Sequence, residues 1–147
     1  MTEEKVTISI IKKLKKNGWK ILSFDYPQSG TGTLIKPDLK EKNLGGFIPD
    51  IVALKNDIVL FWENKDRFFY DDFVKIKKIK KSKHFIKPIE NFLAGFSYKK
   101  IYFGVAIPGI DAEIVKASLY FDCIDFFVVV NPKNIVVLHK ASNEIIL

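Results

Sequence analysis

The sequence predicts a single mixed α/β domain of the α+β type, built on one central sheet. Three observations carry that expectation. The 147 residues suit one domain with its own core, and residues 1–147 contain no linker, repeat or low-complexity stretch. Val6, Ile10 and Leu14 recur at helical spacing. Residues 51–54 and 58–62 are short apolar runs joined by a polar turn, the pattern of a β-hairpin.

The elements follow in order. Thr2 is placed to cap a first helix, with Glu3 and Glu4 in the turn where negative charge suits the helix dipole. Gly18 after Asn17 stops that helix. Residues 19–26 read as a strand ending at Pro27. A turn-rich stretch then runs from Ser29 through Gly45 and Gly46 without periodicity, a length that in a compact domain points to function or mobility. After the hairpin, residues 70–96 are helical, with one apolar stripe of Phe69, Phe73, Ile76 and Ile79. A second stripe, Ile89, Phe92, Leu93 and Phe96, follows a new start or kink at Pro88. Residues 101–107 form a strand, 111–120 a short helix, 124–130 a strand, and 135–139 the last strand after a turn at 131–134. The last two strands are too apolar to stand alone. They either extend the sheet or make a dimer contact.

Composition excludes several classes. Apolar residues make up 48% and charged residues 28%, which is not a disordered acidic chain. No apolar run is long enough to span a bilayer, so no membrane role is expected. The polar, acidic start is no signal peptide, and a cytoplasmic location is expected. Cys123 is alone, so there is no internal disulfide and no Cys-cluster zinc site; it reads as a small buried hydrophobe. His84 and His139 have no ligand-like spacing. Lys and Arg total 24 against 17 Asp and Glu, for a net charge of +7, and Arg67 is the one arginine. A lysine-dominated surface favours a polyanion partner through point-charge contacts.

The residues that suggest chemistry cluster around the hairpin. Strand alternation puts Val59, Phe61, Glu63 and Lys65 on one face. If Asn56-Asp57 is a two-residue loop, Lys55 pairs with Ile58 and, counting outward, Asp50 lies opposite Glu63. Directly opposed residues have Cβ atoms about 4.5–5.5 Å apart. Two carboxylates that close call for a cation, and hard oxygen donors suit Mg²⁺. Lys65 on the same face could orient or deprotonate a water, or stabilise charge developing on phosphorus. Glu3 falls on the buried face of the first helix, where a carboxylate calls for either a capping or a functional explanation. Seven lysines then follow within thirteen residues: Lys75, Lys77, Lys78, Lys80, Lys81, Lys83 and Lys87. Among these, Lys75, Lys77, Lys78 and Lys81 are expected to contact phosphates, with Ser29 and Thr31 adding contacts from the loop. Phe68, Phe69, Tyr70 and Phe73 read as packing rather than base stacking.

Pro49-Asp50, twelve intervening residues and Glu63-Asn64-Lys65 resemble the PD-(D/E)XK signature of the restriction-endonuclease-like nucleases. The resemblance covers residues 3–107 in element order. It implies an αβββαβ core with a central mixed sheet flanked by helices, here followed by a C-terminal α-β-β extension. It further implies catalytic roles for Asp50, Glu63 and Lys65, with Glu3 completing the site from the first helix, and metal binding at Asp50, Glu63 and Asn64. Mg²⁺ is the implied cofactor, with Mn²⁺ as a substitute. The long insertion before Pro49 departs from the compact members. Pro37-Asp38 imitates the signature, but no apolar strand follows it.

The reading that results is a Mg²⁺-dependent DNA endonuclease of the type II restriction class, acting as a homodimer because each short chain holds one site. The alternative is a Holliday junction resolvase. The first helix, the Gly30-Thr31-Gly32 loop and residues 49–54 resemble archaeal-type junction resolvases. A third reading is a DNA-binding module that has the fold without activity.

Overall fold

A computed structural model describes residues 1–38 and 45–147. Residues 39–44, inside the turn-rich stretch read from the sequence, lie outside the described residues. Helix α1 spans Glu3–Lys16, and the Thr2 hydroxyl accepts a hydrogen bond from the Lys5 backbone N–H (3.2 Å). Strands β1 (Lys20–Phe24), β2 (Ile51–Lys55) and β3 (Ile58–Asn64) follow. Helices α2 (Tyr70–Lys81) and α3 (Ile86–Phe92) lead to β4 (Lys100–Pro108). The chain ends with α4 (Asp111–Ser118), β5 (Phe126–Val130) and β6 (Ile135–Lys140). The result is an α+β fold with one six-stranded mixed sheet flanked by helices.

The sheet keeps sequence order, β1-β2-β3-β4-β5-β6. The β3–β4 and β4–β5 pairs are parallel, and the others are antiparallel. Both parallel crossovers advance in the same direction along the sheet, so one handedness of connection puts their helices on one face. Phe73, Ile76 and Ile79 of α2, Ile89 of α3 and Ala117 of α4 accordingly share a core with Val52, Phe61, Val105 and Phe127. Helix α1 covers the other face, where Val6, Ile10 and Leu14 meet Ile51, Trp62, Ala106 and Val128. Strands covered on both faces must be apolar throughout, which is why β5 reads Phe-Phe-Val-Val-Val and is buried at every position.

One glycine is fixed by this layering. A Cβ at Gly104 would come within 2.2 Å of the Phe126 ring. That ring meets Trp62 edge to face at 4.7 Å between centroids.

The structure corrects several boundaries. The helical stretch read over 70–96 divides at Ser82, whose backbone is extended and whose hydroxyl accepts from the His84 N–H. Lys83 and Lys87 therefore lie beyond α2. The strand read over 124–130 begins only at Phe126, because residues 121–123 make a 3-10 turn. The terminal α-β-β segment extends the sheet, with β6 at its edge. Cys123 is buried. Among the described residues no helix is long and apolar enough to cross a membrane.

Candidate active site

The β2–β3 turn sets the geometry. Asn56 takes the left-handed conformation (φ +54°), and Lys55 pairs with Ile58 across a two-residue loop. Asp57 does not share the positive φ. The ladder runs out to Ile51 opposite Trp62, and the Asp50 N–H donates to the Trp62 carbonyl (2.9 Å). Asp50 and Glu63 are the next residues outward. They share the face of Val52 and Phe61, which α2 covers.

The Asp50 carboxylate accepts the Asn64 N–H at 2.6 Å. Its pKa is nonetheless pushed up to about 8, first by burial and then by repulsion from Glu63. Glu63 is 6% exposed. Lys75 Nζ stands 2.6 Å from Glu63 Oε1, without the alignment of a hydrogen bond, and 3.8 Å from Asp72 Oδ1. Asp72 is itself buried, and burial followed by the neighbouring Glu63 raises its pKa.

Lys65 follows directly after β3, and its N–H donates to the Ala106 carbonyl (3.0 Å). Its ammonium lies 3.7 Å from Glu3 Oε1 and over the Phe69 ring. Burial opposes its charge. Asp72, Glu3, Glu63 and Asp50 outweigh that effect and hold its pKa above the ordinary lysine value. Glu113 anchors the segment between Lys65 and α2 by accepting the Phe68 N–H (3.0 Å).

The residues read from the sequence thus divide. Asp50, Glu63 and Lys65 converge, and Glu3 joins through Lys65. Asn64 borders the pair, but its side chain is directed elsewhere. It alternates to the α1 face, where its Nδ2 donates to Thr7 Oγ1 (3.1 Å), so only its main chain borders the site. Lys75 needs correction as a phosphate contact, since it is turned inward onto Glu63 and Asp72. Lys77, Lys78 and Lys81 are exposed on α2. Lys80 pairs with Asp125.

The Ser29 and Thr31 hydroxyls are spent within their own loop. Ser29 donates to Asp25 Oδ1 (2.8 Å), and Thr31 donates to the Phe24 carbonyl (2.8 Å). A Cβ at Gly32 would come within 2.5 Å of Ile48 and 2.8 Å of Asp25, so this loop packs beside the Asp50 strand.

Sequence reading missed Asp72 and assigned Lys75 a different role. The signal was there: two residues three apart at the start of a helix share a face, and that helix follows Lys65 directly. As cation donors, Asp50 and Glu63 offer hard carboxylate oxygens facing one another. Among the described residues no group of three or more Asp, Glu, His or Cys side chains is gathered at one point. No protein family and no curated protein matches the chain by sequence.

Proposed function

We propose that the chain is a Mg²⁺-dependent DNA endonuclease that hydrolyses phosphodiester bonds. One observation carries the proposal: the half-buried Asp50 and the buried Glu63 lie opposite one another at a strand end, with the Lys65 side chain beside them. The donor set fits the cation. Burial first, and then repulsion between the two carboxylates, holds the Asp50 proton, and a divalent ion would relieve that repulsion. Asp50 and Glu63 would hold Mg²⁺, and Mn²⁺ would substitute. The ion supplies neutralisation of the phosphate oxygens and a lowered pKa for the attacking water.

The chain's own groups do the rest. Lys65 donates hydrogen bonds to the water or to the oxygens that gain charge on phosphorus. Glu3 holds the Lys65 ammonium in place. Lys77, Lys78 and Lys81 meet the DNA backbone from α2. One site per chain makes a homodimer the expected form for a double-strand cut. The edge strand β6 offers a surface for it, with Val136 and Leu138 exposed.

Restriction-type cleavage is the first reading. Junction resolution is the second, favoured by a composition of 23 lysines to one arginine, which suits backbone contact over base readout. Incubation with linear duplex and with four-way-junction DNA separates them. Discrete cuts in the duplex select restriction, and cutting confined to the junction selects resolution. Binding to both without metal-dependent cutting selects the inactive module.

A further inference from the structure

An open groove of about 750 Å³ lies away from the carboxylates. It runs between α1 and the edge strand β1. Lys12 and Lys15 of α1 rim it, Lys20 of β1 borders it, and Phe24, Tyr26 and Thr33 line the far wall. No acidic residue lines it, and none of the three lysines has a carboxylate within salt-bridge distance among the described residues. Lys20 instead lies over the Phe96 ring, 4.9 Å from its centroid. By contrast, Lys65, Lys75, Lys80, Lys99 and Lys116 are all paired with acids.

The floor is apolar, formed in part by the half-buried Ile11 and Ile21. Phe24 and Tyr26 are stacked, with centroids 6.2 Å apart and planes 26° from parallel. Lys20 shares the sheet face of Leu54, opposite α1, so the groove's cations are Lys12 and Lys15. Two lysines without a carboxylate partner among the described residues, over an aromatic and apolar floor, call for a ligand with negative charge and flat apolar faces. A single strand of nucleic acid has both, whereas a duplex keeps its base faces inside the stack. The groove also has a direction. It runs from Lys20 towards Tyr26, and the N–H of the neighbouring Asp25 donates to the Asp50 carbonyl (2.9 Å).

We infer that the α1–β1 groove binds a single strand of DNA or RNA, its backbone along Lys12 and Lys15 and a base against Phe24 and Tyr26. That this strand leads to a cutting centre rests on the function proposed above; the binding itself does not.

The test is fluorescence anisotropy of a labelled oligothymidylate, with chelator present so that nothing is cut. Three proteins are compared with the unaltered chain. The groove variant is Lys12→Glu/Lys15→Glu. A charge-matched control carries Lys83→Glu/Lys133→Glu, and the third protein is Tyr26→Ala. All substituted lysines are exposed, and circular dichroism checks folding. The groove variant is expected to bind at least about fivefold more weakly than the control, with its salt slope reduced by about 1.4. Tyr26→Ala is expected to lose about tenfold with an unchanged slope.

Equal losses in groove and control variants overturn the inference, as does an absence of oligonucleotide binding by the unaltered chain. Polyglutamate competing as well as the oligonucleotide also overturns it, because charge alone then accounts for binding. The two readings fail separately. Groove-dependent binding without metal-dependent cleavage removes the endonuclease and keeps the groove. Cleavage by a chain whose groove variants bind normally does the reverse.

Discussion

Lys75 Nζ lies 2.6 Å from Glu63 Oε1, on the carboxylate that faces Asp50. An ammonium there gives a buried acid the positive partner it needs when no other cation is bound. The same position is the one a divalent ion must share or take. Lys75 and Mg²⁺ are therefore competitors for Glu63 in this account.

Replacing Lys75 with Gln is expected to tighten Mg²⁺ binding about three- to tenfold by removing a like-charged neighbour. Isothermal titration with Mg²⁺ on both proteins checks this. Weaker binding by Lys75→Gln means that Lys75 supports the ion rather than competing with it.

Asp50 titrates near 8 in the folded, metal-free chain against an ordinary value of 3.8. Folding therefore takes up a proton at this residue between those values. Its contribution to stability is full below the lower value, shrinks as pH rises through the interval, and is lost above the upper one. Asp50→Asn is expected to melt higher than the unaltered chain at about pH 8.5, with a smaller gap at about pH 5. Divalent-ion affinity should also climb with pH over that range, because binding releases the proton. Thermal melts across pH in chelator, with and without added Mg²⁺, check both expectations. Parallel melting curves for the two proteins at every pH contradict them.

Thr7→Val tests whether the Asn64 side chain serves packing alone. The Asn64 Oδ1 is already buried without a partner, and the variant would strand Nδ2 as well. A loss of about 1–3 kcal/mol in chemical denaturation is expected, with Mg²⁺ affinity unchanged. A large loss of ion affinity would give the Asn64 side chain a role in the site.

Gly104→Ala tests the layer beneath the site. The added methyl collides with the Phe126 ring, which is held against Trp62, so the ring must move. Destabilisation of about 1–3 kcal/mol is expected, read from the urea midpoint. An unchanged midpoint would show that Phe126 repacks freely.

The opposition of Asp50 and Glu63 is legible in the sequence because one turn decides it. Asn56-Asp57 allows a two-residue loop, and strand alternation does the rest. The helix stripes are legible for the same reason, since period and burial coincide at Phe73, Ile76 and Ile79. The break at Ser82 is less so, because lysines and isoleucines continue across it and only the backbone of one serine turns. Lys75 is hidden among seven lysines. Its partner Glu63 is twelve residues away, and no local pattern says which lysine turns inward. The Ser29 and Thr31 hydroxyls look free in sequence because their acceptors, Asp25 and the Phe24 carbonyl, become near neighbours only when the loop folds back.

Nicking of supercoiled plasmid, titrated with Mg²⁺, tests whether Asp50 and Glu63 together hold a divalent ion for DNA cleavage. The unaltered chain is expected to nick in proportion to ion occupancy and to stop in chelator. Glu63→Gln and Asp50→Asn should each lose at least about a hundredfold. Nicking that persists in chelator, or that survives Glu63→Gln, contradicts the account.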